Sequence, residues 1–170
     1  MIIFQDIQWQ IEVAYCSIFA AVLQKDYKRI VFWVNSLKQC YNNVGKDDEF
    51  YDDGSFIQHN VYGYIGGYGA SLINALTKIS YCLSDTIFKF DDYMINEQYN
   101  WAINSFLPLI YNGAYCDNVR VRTIVRNING YKNSSLTIDS LIIMTTNLIN
   151  KDNVNNFKSI LKYFYEINRD

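Results

Sequence analysis

Apolar residues recur three and four positions apart along most of this chain, which is the spacing that places side chains on one face of an α-helix. No run alternates in the manner of a β-strand for more than a few residues. The helical stripes fall in the segments 11–22, 27–37, 72–83, 95–110, 141–149 and 154–164. The sequence therefore predicts an all-α protein.

The ends of several predicted helices carry their own signals. Lys25-Asp26 separates the first two stripes, so Asp26 is predicted to cap the second helix and the pair to form an antiparallel hairpin. Pro108 predicts a kink or an end in the fourth helix. Asp152 or Asn153 is predicted to cap the sixth. The chain therefore reads as a series of helical hairpins.

Composition excludes several classes of protein. Half of the 170 residues are hydrophobic, which excludes a disordered chain. A net charge of −2 argues against nucleic acid as a partner. No apolar run is long enough to predict a membrane span. The four cysteines are scattered without a paired spacing, so they are predicted to be small buried residues and not zinc ligands.

Two connections between the predicted helices are too long to be plain turns. Residues 45–69, the His/Tyr loop, are rich in Gly, Asp and aromatic residues. Residues 112–126, the Arg loop, contain Arg120, Arg122 and Arg126. Long loops inside a compact domain are usually functional, so any site is predicted to lie where these two loops are.

The His/Tyr loop contains the sole histidine, His59, within ten residues of Tyr62, Tyr64 and Tyr68. A tyrosine whose phenolate is stabilised by a nearby arginine is a plausible base. Packing beneath the loop is the alternative for Tyr62 and Tyr64. The loop's glycines match neither phosphate-binding pattern, which makes phosphate binding a weak hypothesis.

The Arg loop also allows two interpretations. Its arginines could form a solvated helix start, or, because Val and Ile residues separate them, they could be partly buried and bind an anion. Arginine suits bidentate binding of carboxylate or sulfate. The chemistry of the two loops therefore predicts an anion-binding site, of the kind found in a lyase or hydrolase of acidic glycans.

A resemblance to a known family is carried by these same residues. Residues 50–60 read Phe-Tyr-Asp-Asp-Gly-Ser-Phe-Ile-Gln-His-Asn and residues 64–69 read Tyr-Ile-Gly-Gly-Tyr-Gly. This closely resembles the central motif of polysaccharide lyase family 8, which contains the hyaluronate, chondroitin AC and xanthan lyases. Residues 101–126 resemble the family's next block, whose arginine run reads roughly R-G-R-x-x-x-R. The resemblance covers roughly residues 9–150.

The resemblance implies eliminative cleavage of a glycosaminoglycan that contains uronic acid, with no metal and no cofactor. Tyr68 matches the family's base, which also returns the proton, and His59 matches the histidine that assists it. Arg122 and Arg126 match the pair that binds substrate and steadies the developing charge. The side chains of Asn60, Tyr64 and Arg120 are predicted to bind substrate as well. Arg120 matches the first basic residue of the arginine run and suits a structural role better.

The chain departs from the family pattern at two places. Trp9 falls where the family has an Asn that neutralises the uronate carboxylate, and Glu12 falls where it has Asp. Gln8 or Gln10 could supply a carboxamide out of register. Gln58 replaces the family's acidic residue before the histidine.

Taken together, residues 1–170 are expected to form one partial (α/α) toroid domain without the family's β-sandwich domains, and to associate with the toroid or β-sandwich parts that are missing. The implied partner is an acidic polysaccharide, chondroitin or hyaluronan. The alternative is an inactive, truncated homologue that binds glycan or serves as a viral structural protein. Within the family the likeness extends to a viral envelope member, which implies a location outside the cell or in a virion envelope.

Overall fold

The computed structural model describes residues 7–41, 50–51, 53–126, 130–147 and 151–167. These ranges are mostly helical, as predicted. The six α-helices within them are α1 (Ile7–Gln24), α2 (Tyr27–Gln39), α3 (Ala70–Leu83), α4 (Asp92–Trp101), α5 (Gly130–Asn147) and α6 (Lys151–Ile167).

Short irregular elements lie between α2 and α3 and between α4 and α5, in and next to the two long loops. Strands β1 (Ile57–Gln58) and β2 (Tyr62–Gly63) pair antiparallel, and so do β3 (Ile110–Tyr111) and β4 (Ala114–Tyr115). Single helical turns complete these regions: the π-helical turns Ile65–Gly69 and Ala102–Phe106, and the 3₁₀ turns Leu107–Leu109, Asp117–Val119 and Val121–Arg126. The strands escaped the sequence analysis because two residues are too few to show an alternating pattern.

The first helical hairpin forms as predicted. The side chain of Asp26 accepts a hydrogen bond from the backbone N–H of Arg29 at 3.1 Å, which satisfies an orphan donor at the start of α2. The side-chain amide of Gln10 donates to Ser36 Oγ at 2.8 Å, so the start of α1 lies beside the end of α2. The two helices are therefore antiparallel.

Two predicted helix boundaries are corrected. Helix α4 ends at Trp101 and gives way to a π-helical and then a 3₁₀ turn that contains Pro108, so the proline marks the end of helical structure, as predicted, but Ile110 lies in a strand. Helix α6 begins at Lys151, one residue before Asp152. Asp152 and Asn153 therefore both lie in the first turn of α6, and neither is its N-cap. The negative charge of Asp152 interacts favourably there with the positive end of the helix dipole.

Helix α3 forms the centre of the core, between α1 on one side and α5 on the other. Its buried apolar side chains are Leu72, Ile73, Leu76, Ile79 and Leu83. Each fully buried side chain of this size contributes roughly 1.5–3 kcal/mol relative to exposure. The amide of Asn74 bonds across to α5, with 3.0 Å to the Leu136 carbonyl, so the α3–α5 contact is polar as well as apolar.

The cysteine prediction holds for one residue of four. Cys40 is buried, but Cys16, Cys82 and Cys116 are exposed. On α1 the buried stripe runs through Ile11 and other apolar residues, and Cys16 falls on the opposite face. Within the described ranges no helix has the length and hydropathy to cross a bilayer, and no group of three or more acidic, His or Cys side chains is arranged to hold a metal ion.

Candidate functional site

The His/Tyr loop and the Arg loop meet at the π-helical turn Ile65–Gly69. A Cβ atom added to Gly66 would lie 3.1 Å from the Val119 carbonyl oxygen and 3.1 Å from the ring of Tyr115. The two loops therefore approach each other so closely at Gly66 that any larger residue there would force its neighbours to move. Tyr68 lies in this same turn, which places it at the contact between the loops.

Three aromatic or cationic groups surround the half-buried ring of Tyr68. The guanidinium carbon of Arg122 lies 4.8 Å from the ring centre. The ring of His59 meets it edge-on, with 5.8 Å between ring centres, and the ring of Tyr64 lies 4.8 Å away. The structure thus brings together His59, Tyr68 and Arg122, which are spread over more than sixty positions of the sequence.

The turn between β1 and β2 presents His59. Both His59 and Asn60 have left-handed backbone conformations, with φ of 54° and 63°. Such values suit a tight connection between paired strands, and Asn is among the residues that tolerate them best. Asn60 is exposed next to His59. Its predicted role in substrate binding stays a prediction.

Tyr64 lies under the site. Its side chain is only 2% exposed, and a Cβ atom on Gly67 would fall 2.0 Å from its ring. Tyr64 therefore packs closely against the turn and supports Tyr68 from beneath. Its burial favours the packing interpretation over the substrate-binding one, whereas Tyr62 is half exposed and does not pack beneath the loop.

Arg120 is anchored within the Arg loop. Its guanidinium is buried and forms an ion pair with the exposed carboxylate of Asp117. The backbone carbonyl of Arg120 accepts hydrogen bonds from both the N–H and the hydroxyl of Thr123, at 3.0 and 2.6 Å. These contacts favour a structural role for Arg120.

The other two arginines are exposed. Arg122 and Arg126 lie on the 3₁₀ turn Val121–Arg126, four residues apart. The expectation that all three arginines are partly buried is wrong for these two, because the 3₁₀ turn runs along the surface and buries none of its residues fully. Exposure leaves both guanidinium groups accessible to an anion from solution.

Helix α5 holds the two loops in place through polar side chains that the sequence analysis missed. The amide of Asn133 donates to the Gly66 carbonyl, and the hydroxyl of Ser134 donates to the Gly113 carbonyl. The hydroxyl groups of Thr137 and Tyr115 are 2.6 Å apart. The sequence did contain a sign of this polar contact, a stripe of small polar residues at helical spacing: Asn133, Ser134, Thr137 and Ser140.

A cavity of about 210 Å³ lies beside the aromatic residues Tyr41, Phe50 and Trp101. Its lining includes none of the three arginines and neither His59 nor Tyr68. Asp53 lines it, and a hydrogen bond from Ser55 lowers the pKa of this carboxyl from its ordinary value. The cluster around Tyr68 is therefore a surface site, separate from this cavity.

Replacing Tyr115 with phenylalanine should destabilise the fold by about 1–3 kcal/mol, because the buried hydroxyl of Thr137 loses its partner. Burial raises the pKa of the Tyr115 phenol well above its ordinary value of 10.0. Above pH 10 the phenol of Tyr115 loses its proton in the unfolded chain but keeps it in the folded chain. The free energy of unfolding therefore includes the full contribution of the protonated phenol below pH 10 and loses it as the pH rises further.

Urea unfolding at neutral and alkaline pH measures both effects. The native chain should lose stability above pH 10 more steeply than Tyr115→Phe, while Tyr111→Phe, at an exposed position of β3, should behave as the native chain does. If the native chain and Tyr115→Phe lost the same amount of stability above pH 10, the prediction would be contradicted.

Val121 is strained, and replacing it should show this. Its φ of 46° is left-handed, a conformation that β-branched residues avoid. At an ordinary position glycine is about 0.5–1 kcal/mol less stable than alanine. At position 121 we expect the order to reverse, with Val121→Gly more stable than Val121→Ala by about 1 kcal/mol, measured from denaturant midpoints.

The same pair of substitutions at Val125 provides the control. Val125 lies on the same 3₁₀ turn, is 83% exposed and is not among the described residues with positive φ. At position 125 the glycine variant should be less stable than the alanine variant. The same order at both positions would mean that Val121 carries no strain.

Comparison with known proteins identifies the family. The model of the polysaccharide lyase family 8 N-terminal α-helical domain matches residues 10–163. The chain belongs to polysaccharide lyase family 8. A hyaluronate lyase of Enterococcus faecalis is 34% identical over 153 residues, which are 88% of this chain and 15% of that protein. A xanthan lyase of a Bacillus species is 39% identical over 109 residues, which are 63% of this chain and 12% of that protein.

Solved structures agree with the assignment to family 8. A xanthan lyase of Paenibacillus superposes with a TM-score of 0.88 at 28% identity, covering 95% of this chain and 16% of that one. A chondroitin AC lyase of Streptomyces coelicolor, solved in complex with chondroitin sulphate, superposes with a TM-score of 0.89 at 19% identity and shares the fold. It covers 97% of this chain and 24% of that one.

This family 8 chain therefore spans less than a quarter of the length of each relative named above. Its helices match the N-terminal helical domain of the lyases, and a toroid arrangement is consistent with the chondroitin lyase likeness. None of these relatives is viral, and the likeness to a viral envelope member stays a prediction.

Proposed function

We propose that this chain cleaves a glycosaminoglycan that contains uronic acid, chondroitin or hyaluronan, by β-elimination. The observation that carries the proposal is the convergence on Tyr68 of the Arg122 guanidinium, 4.8 Å from the ring centre, and the His59 ring, 5.8 Å away. A phenol next to a cation and an imidazole is suited to remove a weakly acidic proton. Family 8 membership and the lyase relatives support the same reaction class.

The chemistry assigns a role to each group. The phenolate oxygen of Tyr68 takes the proton from C5 of the uronate, the electron pair forms the C4–C5 double bond, and the C4–O bond breaks. The protonated Tyr68 then returns the proton to the leaving oxygen. His59 assists the proton transfer at the same centre.

Charge neutralisation makes the C5 proton removable. A proton next to a carboxylate is hard to abstract unless the carboxylate charge is balanced. Arg122 and Arg126 are exposed guanidinium groups on one 3₁₀ turn, and guanidinium binds carboxylate through paired hydrogen bonds. In this proposal both arginines bind the acidic substrate, and Arg122 also stabilises the phenolate beside it.

The test is to incubate the purified chain with chondroitin and with hyaluronan and to follow ultraviolet absorbance. Elimination leaves an unsaturated uronate that absorbs, whereas hydrolysis leaves none. A steady rise with either polysaccharide supports the proposal. No rise, with a folded chain, would overturn it.

A second candidate is a non-catalytic homologue that binds glycan or serves as a structural protein of a virus. The observation that favours it is Trp9, half exposed on α1 at the position where the family resemblance has the carboxylate-neutralising Asn. Binding to an immobilised glycan without any rise in absorbance would favour this candidate over the enzyme.

A further inference from the structure

Trp9 differs from the other two tryptophans of the chain. Its side chain is 54% exposed, whereas Trp33 and Trp101 are 8% and 6% exposed. Along α1 it shares the outward face with Glu12 and Cys16, three and seven positions later, both of which are exposed. An indole half open to solvent is a large apolar surface that the core does not use.

A series of contacts places Trp9 at the same end of the helices as the candidate site. The start of α1 lies beside the end of α2, because the Gln10 amide is 2.8 Å from Ser36 Oγ. Just after α2, the ring of Tyr41 stacks on Trp101 with 5.1 Å between ring centres. The end of α2 therefore adjoins the end of α4.

The series continues from α4 to Tyr68. Phe50 stacks on Trp101 at 3.8 Å and lies 6.1 Å from the ring of Phe106. A Cβ atom on Gly69, the residue after Tyr68, would lie 3.4 Å from the Phe106 ring. The first turns of α1, the ends of α2 and α4 and the start of α3 thus share one end of the molecule with Tyr68.

The neighbouring charge decides which kind of sugar suits this indole. The flat apolar face of a sugar ring can pack on an aromatic ring, which removes apolar surface from water. Glu12 lies one turn along the same face, and its carboxylate is held by the Gln8 amide at 2.7 Å. A second carboxylate next to Glu12 is disfavoured by like charge. The indole is therefore better suited to an uncharged ring than to a uronate.

We propose that Trp9 is a stacking subsite for the uncharged hexosamine ring that alternates with uronate in hyaluronan and unsulphated chondroitin. The identity of the polysaccharide rests on the proposed function. In such a polysaccharide Arg122 binds an acidic sugar and Trp9 binds a neutral one.

Titration with a hyaluronan hexasaccharide, followed by tryptophan fluorescence and calorimetry, tests the subsite. Because Trp9 is the exposed tryptophan, the native chain should show a saturable fluorescence change. Trp9→Ala should bind about tenfold more weakly, and Trp9→Phe, which keeps an aromatic face, should retain most of the affinity. Equal affinity of Trp9→Ala and the native chain overturns the subsite, and so does a native chain that does not bind.

Two further variants make the test specific. Tyr27→Ala removes a 64% exposed aromatic ring at the start of α2, the opposite end of the hairpin, and should leave affinity unchanged. Glu12→Gln should raise the affinity for an oligosaccharide made only of galacturonate, because it removes the like charge. The proposal would be contradicted if Tyr27→Ala weakened binding as much as Trp9→Ala does, or if Glu12→Gln did not raise the affinity for the galacturonate oligosaccharide.

Absorbance of unsaturated product, recorded in the same samples, separates this inference from the proposed function. Unchanged affinity in Trp9→Ala together with product release would overturn the subsite and leave the elimination in place. Weakened binding in Trp9→Ala without product from any variant would support the subsite and overturn the elimination.

Discussion

Replacing Tyr68 with phenylalanine should lower the rate of product release from chondroitin or hyaluronan by a factor of ~10²–10⁴, the contribution expected of a general base. The change removes one oxygen atom and keeps the ring that contacts Tyr64, His59 and Arg122. Packing should therefore survive. The loss should appear in the turnover rate more than in substrate binding, measured from initial rates of ultraviolet absorbance.

Tyr62→Phe is the matched control for this prediction. Tyr62 lies in β2, six residues earlier, and its side chain is half exposed. Tyr62→Phe loses the same phenol oxygen, but from a ring that lies outside the cluster around Tyr68. Its rate of product release should therefore equal that of the native chain. Product release at the native rate by Tyr68→Phe would show that another group removes the proton.

Replacing Gly67 with alanine should destabilise the protein by ~1–3 kcal/mol, the usual cost of forcing an extra group into a packed region. The new Cβ atom would fall 2.0 Å from the Tyr64 ring, which is buried and has no room to withdraw freely. The ring of Tyr68 lies 4.8 Å from that of Tyr64, so the displacement should also disturb the candidate site. Chemical denaturation measures the loss of stability.

Gly63 offers the matched comparison because a Cβ atom there meets nothing within 4 Å. Gly63→Ala should change stability by no more than ~0.5 kcal/mol, as is usual for surface substitutions. Equal stability of the two variants would show that the turn around Gly67 accommodates the added methyl group without cost.

Helix content and the first helical hairpin followed from local features. The spacing of apolar residues set the faces of α1, α2 and α3, and Asp26 set the start of α2. These features can be predicted because each depends on residues within one or two helical turns of one another. The strands β1 to β4 and the start of α6 could not, because two-residue strands show no pattern and helix ends are set by single capping bonds.

Burial in the two loops was less predictable. The sequence allowed Tyr64 to line the site or to pack beneath it, and the depth of its burial depends on Gly67 and the turn around it. It likewise grouped three arginines, of which Arg120 is buried and paired with the exposed carboxylate of Asp117, while Arg122 is exposed. The neighbours differ because Arg120 precedes the 3₁₀ turn Val121–Arg126 and is held by Asp117, whereas the turn itself runs along the surface and buries none of its residues fully.

The residue types of the candidate site, a histidine, a tyrosine and arginines in two long loops, were already apparent from the amino-acid sequence, as was their match to family 8. Their convergence was decided by packing over long distances along the chain. His59 and Tyr68 meet Arg122 only because α3 and α4 carry the chain away and back, and because α5 binds both loops through Asn133 and Ser134. Local periodicity specifies each helix, but the distance between two loops depends on how those helices pack against one another.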